Sequence, residues 1–325
     1  MKIERIDIFS DIVDNYGDMG WVLELLVMSR LNVHFRIVTD DTQKMWEFLR
    51  HSKRALPSYE LVEKWKYDYD RPSRLLILGL HAKIDFTRLW PGTSIIRVSY
   101  LTYDPWYRDS HEREHILSTP ERPIIELIYS PLPGTGGVWH YEKSGTMRSE
   151  WLQKMYLPET LSEKVWIPIF VYPETLEHLD ISNIPKDVIL FFIGHPVPSY
   201  LLSPISYKLP WLSREDFSDL IDLADISVLR GEISSLRGLK SGQRYLWDMY
   251  KDIWGWNEDD SRGFLEYIDA SPEYRSLHKK INTRNPWSID EIIPLLGQAW
   301  SWDTQKIPDF RKTLEKTFDK LGFSL

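Results

Sequence analysis

IERIDIFSDIVDNYGDMGWVLELLVMSRLNVHFRIV, residues 3–38, is the stretch on which the fold is read. Ile3 to Phe9 alternates apolar and polar side chains, as a half-buried strand does. Asp11 to Gly20 reads as a polar turn, Trp21 to Leu31 as an apolar helical run, and Val33 to Val38 as a second strand. Strand, helix and strand in that order predict a βαβ unit. Working outward, Leu75 to Leu78, Ile95 to Val98 and Ile124 to Tyr129 are short apolar runs separated by turn chemistry or helical stretches, as a parallel sheet requires. A Pro/Gly-rich passage follows from Pro131 to Gly137, then a helix-like stretch around Ser149 to Met155. A second series of strands begins with Trp166 to Val171 and continues with Val188 to Ile193 and Ile226 to Leu229. From Pro308 to Leu325, Phe310, Leu314, Phe318 and Leu321 recur at helical spacing, which predicts a terminal amphipathic helix.

The chain has 325 residues, 42% of them hydrophobic, enough for two cores of ordinary domain size, and the boundary is placed near residue 160. No apolar run approaches the ~20 residues of a membrane helix, and no apolar signal segment precedes the first strand, so a cytoplasmic protein is expected. Cysteine is absent and the nine histidines show no HExxH-like spacing. Disulfides and thiolate metal sites are thereby excluded, and no metal is expected. A formal charge of −8 with scattered Lys and Arg argues against nucleic acid as a partner. The 15 Trp and 17 Tyr fit either aromatic-lined clefts or an aromatic core, and decide between them nothing.

Two segments have the composition of ligand loops. In open α/β sheets ligands bind beyond the carboxyl ends of strands, which is where Asp11 to Gly20 falls. Asp14 and Asp18 are four residues apart across Gly17, close enough to face one pocket, although either also suits a helix N-cap. The pattern is not GxGxxG, which weakens a dinucleotide reading. The second segment, Leu229 to Gly238, also joins a strand to a helix. Gly231 admits close backbone approach, Ser234 or Ser235 at a helix N-terminus suits phosphate, and Glu232 suits a ribose diol. Arg230 adds positive charge. An Arg–Glu surface pair with a serine cap fits the same residues.

These segments resemble the EarP family. Asp7-Ile8-Phe9 followed by Val13 to Gly20 resembles its DIF…VDNYGDIG opening. Pro210 to Phe217, continuing through Ala224-Asp225 to Arg230-Gly231-Glu232-Ile233-Ser234-Ser235-Leu236-Arg237, resembles its PFVPQDDYDRLLW…CD…VRGEDSFVR block. Tyr100-Leu101-Thr102, Trp106, His111 and Pro133 to Gly137 resemble further motifs in the same order, as do Trp247 to Tyr250 and Pro308 to Phe310. Nearly the whole chain is covered.

The resemblance implies a GT-B glycosyltransferase, an α/β protein of two Rossmann-like domains facing an interdomain cleft, with the C-terminal helix crossing back to the N-terminal domain. Residues 1–160 with 304–325 would bind the acceptor, and 161–303 the nucleotide sugar. The implied activity is inverting transfer of L-rhamnose from dTDP-β-L-rhamnose to an arginine of translation elongation factor P, without cofactor or metal. Asp18 would be the general base, with Asp14 assisting, and Asn15 and Tyr16 completing the acceptor loop. Glu232 would hold the ribose. Phe170 and Tyr172 align with aromatic residues around the base, and Trp211, Arg214 and Phe217 with base-recognition positions. Ser234, Ser235 and Tyr250 would line the diphosphate, with Arg230 stabilising it as it leaves.

Acidic residues suit this chemistry because a guanidinium is protonated and delocalised, and so is a poor nucleophile. Carboxylates can grip it by directed hydrogen bonds, orient one nitrogen and receive its proton. The chain departs from the family at three places: Ile233 stands where the family has Asp, Arg214 where it has Gln, and Trp21-Val22-Leu23-Glu24 where it has a Trp-Arg pair. They keep two alternatives open: an inverting glycosyltransferase with another nucleotide sugar or acceptor, and a non-catalytic relative that only docks on elongation factor P.

Overall fold

The computed structural model describes residues 2–12, 16–28, 31–52, 55–79, 82–85, 88, 91–99, 101–103, 105–139, 143, 145–194, 196–249, 251–252, 255–256, 258–298 and 303–324. The chain forms two compact units, Met1–His140 with Gln305–Leu325, and Tyr141–Thr304.

In the first unit the elements follow as β1 (Arg5–Phe9), α1 (Tyr16–Met28), β2 (His34–Thr39), α2 (Thr42–Leu49), β3 (Tyr59–Glu63), β4 (Leu75–Leu78), β5 (Ser94–Ser99) and β6 (Ile124–Ile128). The strands pair, all parallel, in the order β3-β2-β1-β4-β5-β6. That is the order of a dinucleotide-type Rossmann sheet, with its switch point between β1 and β4. Parallel strands covered on both faces read as continuous apolar runs, and Leu75 to Leu78 are all buried. One polar knot interrupts this core. Asp7 on β1 is fully buried, and its carboxylate accepts hydrogen bonds from the Ser73 N–H at 2.8 Å, the Tyr67 hydroxyl at 2.6 Å and Arg36 Nε at 3.0 Å. A buried charge with this many donors is compensated. Burial beside that carboxylate pushes the Tyr67 phenol above its ordinary value, so it stays a donor.

The second unit runs through α3 (Arg148–Lys154), β7 (Val165–Phe170), α4 (Pro173–Leu176), β8 (Leu179–Asp180), β9 (Val188–Ile193), β10 (Ser206–Leu209), α5 (Arg214–Leu223), β11 (Ser227–Arg230), α6 (Gly231–Ser241) and β12 (Tyr245–Asp248). It continues with β13 (Lys251–Asp252), β14 (Gly255–Trp256), α7 (Glu258–Tyr267), α8 (Pro272–Asn282), β15 (Trp287–Ser288) and α9 (Ile289–Ile292). Its sheet, again all parallel, has the order β10-β9-β7-β11-β12, with the switch point between β7 and β11.

The last helix, α10 (Phe310–Lys320), packs on the first unit. Phe310 is fully buried with its ring edge-on to Tyr129 and Trp139, both at 5.0 Å, and Leu314 and Phe318 are buried along the same face. Val138 N–H donates to the Pro308 carbonyl and Phe310 N–H to the Val138 carbonyl, both at 3.0 Å, and Lys316 pairs with Glu112 at 2.8 Å.

Two expectations need correcting. Residues 145–160 lie in the second unit, not the first: the Trp151 ring packs against Trp166 at 5.6 Å and Phe191 at 5.7 Å, and Arg148 donates to the Leu223 carbonyl and to Asp225, both at 2.8 Å. Apolar contact with the second sheet, and not the Pro/Gly passage before it, decides where this helix belongs. In addition, α1 begins at Tyr16, five residues before the expected Trp21, because Met19 buries against the core and packing outweighs the low helix propensity of Gly17 and Gly20.

Candidate active site

In the second unit the switch point brings together the ends of β7 and β11. Phe170 and Leu229 are paired in register, so Tyr172 and Arg230 leave neighbouring strands side by side. The Arg230 guanidinium carbon lies 4.5 Å from the Phe170 ring centroid and 5.2 Å from that of Tyr172. Flat cation against aromatic face is a favourable contact, and it holds positive charge at the mouth of the switch point. Gly231 follows with φ +67°, a left-handed turn that an L side chain resists, and α6 starts there. No side-chain cap closes this helix start, so its first N–H groups keep the orientation that binds anions.

An aromatic cluster flanks that mouth. The Phe170 ring is edge-on to Phe217 at 5.2 Å and to Trp211 at 6.2 Å. Trp211 is 50% exposed, which is unusual for so large a ring outside a binding surface. Its position depends on Gly194 at the end of β9, where an added Cβ would lie 2.8 Å from the indole. Just after Trp211, the Ser213 hydroxyl caps α5 by accepting from Asp216 N–H at 3.1 Å, and Lys154 of α3 pairs with Asp216. Arg214 is the first residue of α5.

Phe170, Tyr172, Trp211, Phe217 and Arg230 are thus brought together at these strand ends, and Glu232 stands in the first turn of α6. The serines differ from their expected placing. The helix begins at Gly231, so Ser234 and Ser235 stand inside it, and Ser235 is buried with its hydroxyl donating to the Glu232 carbonyl at 3.0 Å. The hydroxyl is spent on the helix itself. Tyr250 lies outside the described residues.

In the first unit Asp18 stands in the first turn of α1 and is only 5% exposed. Asp14 and Asn15 lie outside the described residues, and so does the side chain of Tyr16. The preceding loop is tethered: Asp11 pairs with Lys64 at 2.5 Å and accepts from Lys83 N–H at 3.1 Å, and Ile12 N–H donates to Asp40 at 2.8 Å. Gly79, just beyond β4, donates to the Phe9 carbonyl at 2.9 Å, which closes the switch point on its other side. Sequence reasoning did not single out the open groove lined by Lys64, Trp65, Tyr67, Tyr69 and Arg88. Nor did it single out the carboxylate of Asp248. That carboxyl is fully buried, and burial pushes its pKa up against the opposing pull of Arg284. Among the described residues no cluster of His, Asp and Glu is built to hold a metal ion.

No family model matches the chain. A protein-arginine rhamnosyltransferase of Pseudomonas aeruginosa is 21% identical over an alignment spanning 97% of this chain and 94% of the relative. One from Shewanella oneidensis is 22% identical over 93% of each. Over nearly its whole length the chain is similar to protein-arginine rhamnosyltransferases. Each alignment runs through both Rossmann-like units, which short motif matches by themselves do not secure. Among solved structures, that of EarP, from work on arginine glycosylation of translation elongation factor EF-P, is 17% identical, with a TM-score of 0.53 over 97% of this chain and 99% of that one. The glycosyltransferase SnogD from Streptomyces nogalater is 12% identical, with a TM-score of 0.56 over 99% and 100%. The fold is accordingly that of the GT-B glycosyltransferases, two Rossmann-like units in one chain.

Proposed function

We propose that the protein is an arginine glycosyltransferase that moves L-rhamnose from dTDP-β-L-rhamnose to an arginine of translation elongation factor P, with inversion at the anomeric carbon. The observation that carries the reading is the switch point of the second unit, where an exposed indole, an arginine stacked on two aromatic rings and an uncapped helix start converge. These are the parts that a nucleoside diphosphate needs: a platform for the base, a cation and N–H groups for the phosphates. Glu232, one residue into α6, supplies a carboxylate for the ribose hydroxyls. The similarity to rhamnosyltransferases along nearly the whole chain supports arginine as the acceptor.

On this reading Asp18, assisted by Asp14, grips the guanidinium and orients one nitrogen toward the anomeric carbon. The nitrogen forms the new C–N bond as the C–O bond to dTDP breaks, and its proton passes to the Asp18 carboxylate. A single in-line displacement inverts the centre. The departing diphosphate is met by Arg230 and the N-terminus of α6, so no metal ion is required for its stabilisation. No helix among the described residues is long and apolar enough to cross a membrane. Arg214, which stands where the family has a glutamine, favours a second reading in which the nucleotide sugar differs. Incubating the protein with elongation factor P and a panel of nucleotide sugars separates the two by intact mass. A deoxyhexose increment with dTDP-rhamnose is expected. No increment with any donor would sink both readings.

A further inference from the structure

Asp248 and Arg284 lie behind the strand ends that carry Tyr172 and Arg230. Asp248 ends β12, and its buried carboxylate reaches past the end of β11 to the loop after β7. One oxygen accepts the Tyr172 N–H and the Thr175 hydroxyl, both at 2.8 Å. The other accepts Nη1 of Arg284 at 2.6 Å. Arg284 lies just beyond α8 with φ 57°, a helix-end position that usually falls to glycine because an L side chain meets steric resistance there. The same nitrogen donates to the Ile281 carbonyl at 2.8 Å, so one side chain ties the end of α8 to the switch point. The Tyr172 ring centroid lies 5.2 Å from the Arg230 guanidinium carbon and 6.0 Å from that of Arg284. A Cβ at Gly231 would lie 3.7 Å from the Tyr172 hydroxyl, which places that ring at the start of α6.

We infer that Asp248 and Arg284 are positioning residues for the nucleotide sugar: they hold the Tyr172 backbone, and so its ring, in register with Arg230 and the first turn of α6. A charged, forked donor is needed because the carboxylate already serves two other groups and lies out of water, where an unpaired charge is not tolerated. A glycine at position 284 would relieve the backbone and abandon the carboxylate, so the strained arginine is explained by what its side chain holds.

The inference rests on the donor-site reading and is tested apart from it. In Arg284→Gln, the Kd for dTDP and the KM for dTDP-rhamnose are expected to rise about tenfold, equivalent to ~1.4 kcal/mol, with kcat at saturating donor and the KM for elongation factor P little changed. Arg284→Lys, which keeps the charge, should recover part of the loss. A purely structural pair would lower the melting temperature and leave this split absent. A folded Arg284→Gln protein that binds dTDP as tightly as the native one overturns the positioning role. Should that variant not fold, Thr175→Val removes one donor to the same carboxylate without changing shape, and an unaltered dTDP affinity there is equally fatal. Native protein that binds no dTDP overturns instead the donor-site reading itself.

Discussion

A carboxylate that is to take a proton from a guanidinium works best where water does not compete, and Asp18 is nearly buried in the first turn of α1. On the proposed mechanism Asp18→Asn keeps the shape and removes the base; transfer is expected to fall ~10²–10⁴-fold while dTDP affinity is retained. Intact-mass assays and calorimetry on the same sample check both halves, and equal turnover in the two proteins would remove Asp18 from the mechanism. Trp211 offers the complementary test. Half-exposed, it contributes little to the core, so Trp211→Ala should leave thermal stability nearly intact and weaken dTDP binding by roughly 1–3 kcal/mol, the range of base-on-aromatic stacking. At this scale the sequence was a partial guide. Asp7 belongs to the same motif as Asp14 and Asp18, yet its carboxylate serves Arg36, Tyr67 and Ser73 inside the sheet. His111, also a motif residue, accepts the Ile128 N–H at 3.2 Å. A motif names residue types, and packing assigns them to structure or to chemistry.

Among the elements, the strands legible from sequence were those with buried apolar runs: β1, β2, β4 to β7, β9 and β11. In the two main sheets those not picked out were β3, whose side chains are half-exposed at the sheet edge, the four-residue edge strand β10, and β12, which ends in a buried aspartate; the two-residue strands β8 and β13 to β15 were not picked out either. Edge strands lose the two-sided burial that makes a parallel strand read as apolar. The amphipathic face of α10 was readable, and its docking can be measured. Phe310→Ala empties a fully buried site between Tyr129 and Trp139 and is expected to cost ~3–5 kcal/mol. Denaturant titration followed by tryptophan fluorescence reports this cost, and a loss under about 1 kcal/mol would mean that the helix is not held by this ring.

For the whole molecule, stability should depend on pH through a buried histidine on α8. His278 is fully buried beside Asn282, Ser261 and the rings of Phe264 and Tyr274, and burial lowers its pKa from 6.5 to about 3. Above pH 6.5 both folded and unfolded chains hold it neutral. Between 6.5 and 3 only the unfolded chain binds the proton, so stability falls as pH drops, by about 2 kcal/mol at pH 5. Urea titrations at pH 7 and pH 5 should show this difference in the native protein and its absence in His278→Gln; parallel pH profiles would exclude the residue as the source. By itself the sequence determined the alternation of strands and helices, the two successive parallel sheets and the loops from which ligand groups project. These follow from periodicity and turn chemistry over a few residues, where the chain need only consult its neighbours. The tertiary structure alone decided that Asp248 reaches Tyr172 across 76 residues, that Gly194 makes room for Trp211, and that the helix at 148–154 joins the second sheet. Such pairings depend on which distant surfaces exclude water together, a choice made by the whole fold and recorded at no single position along it.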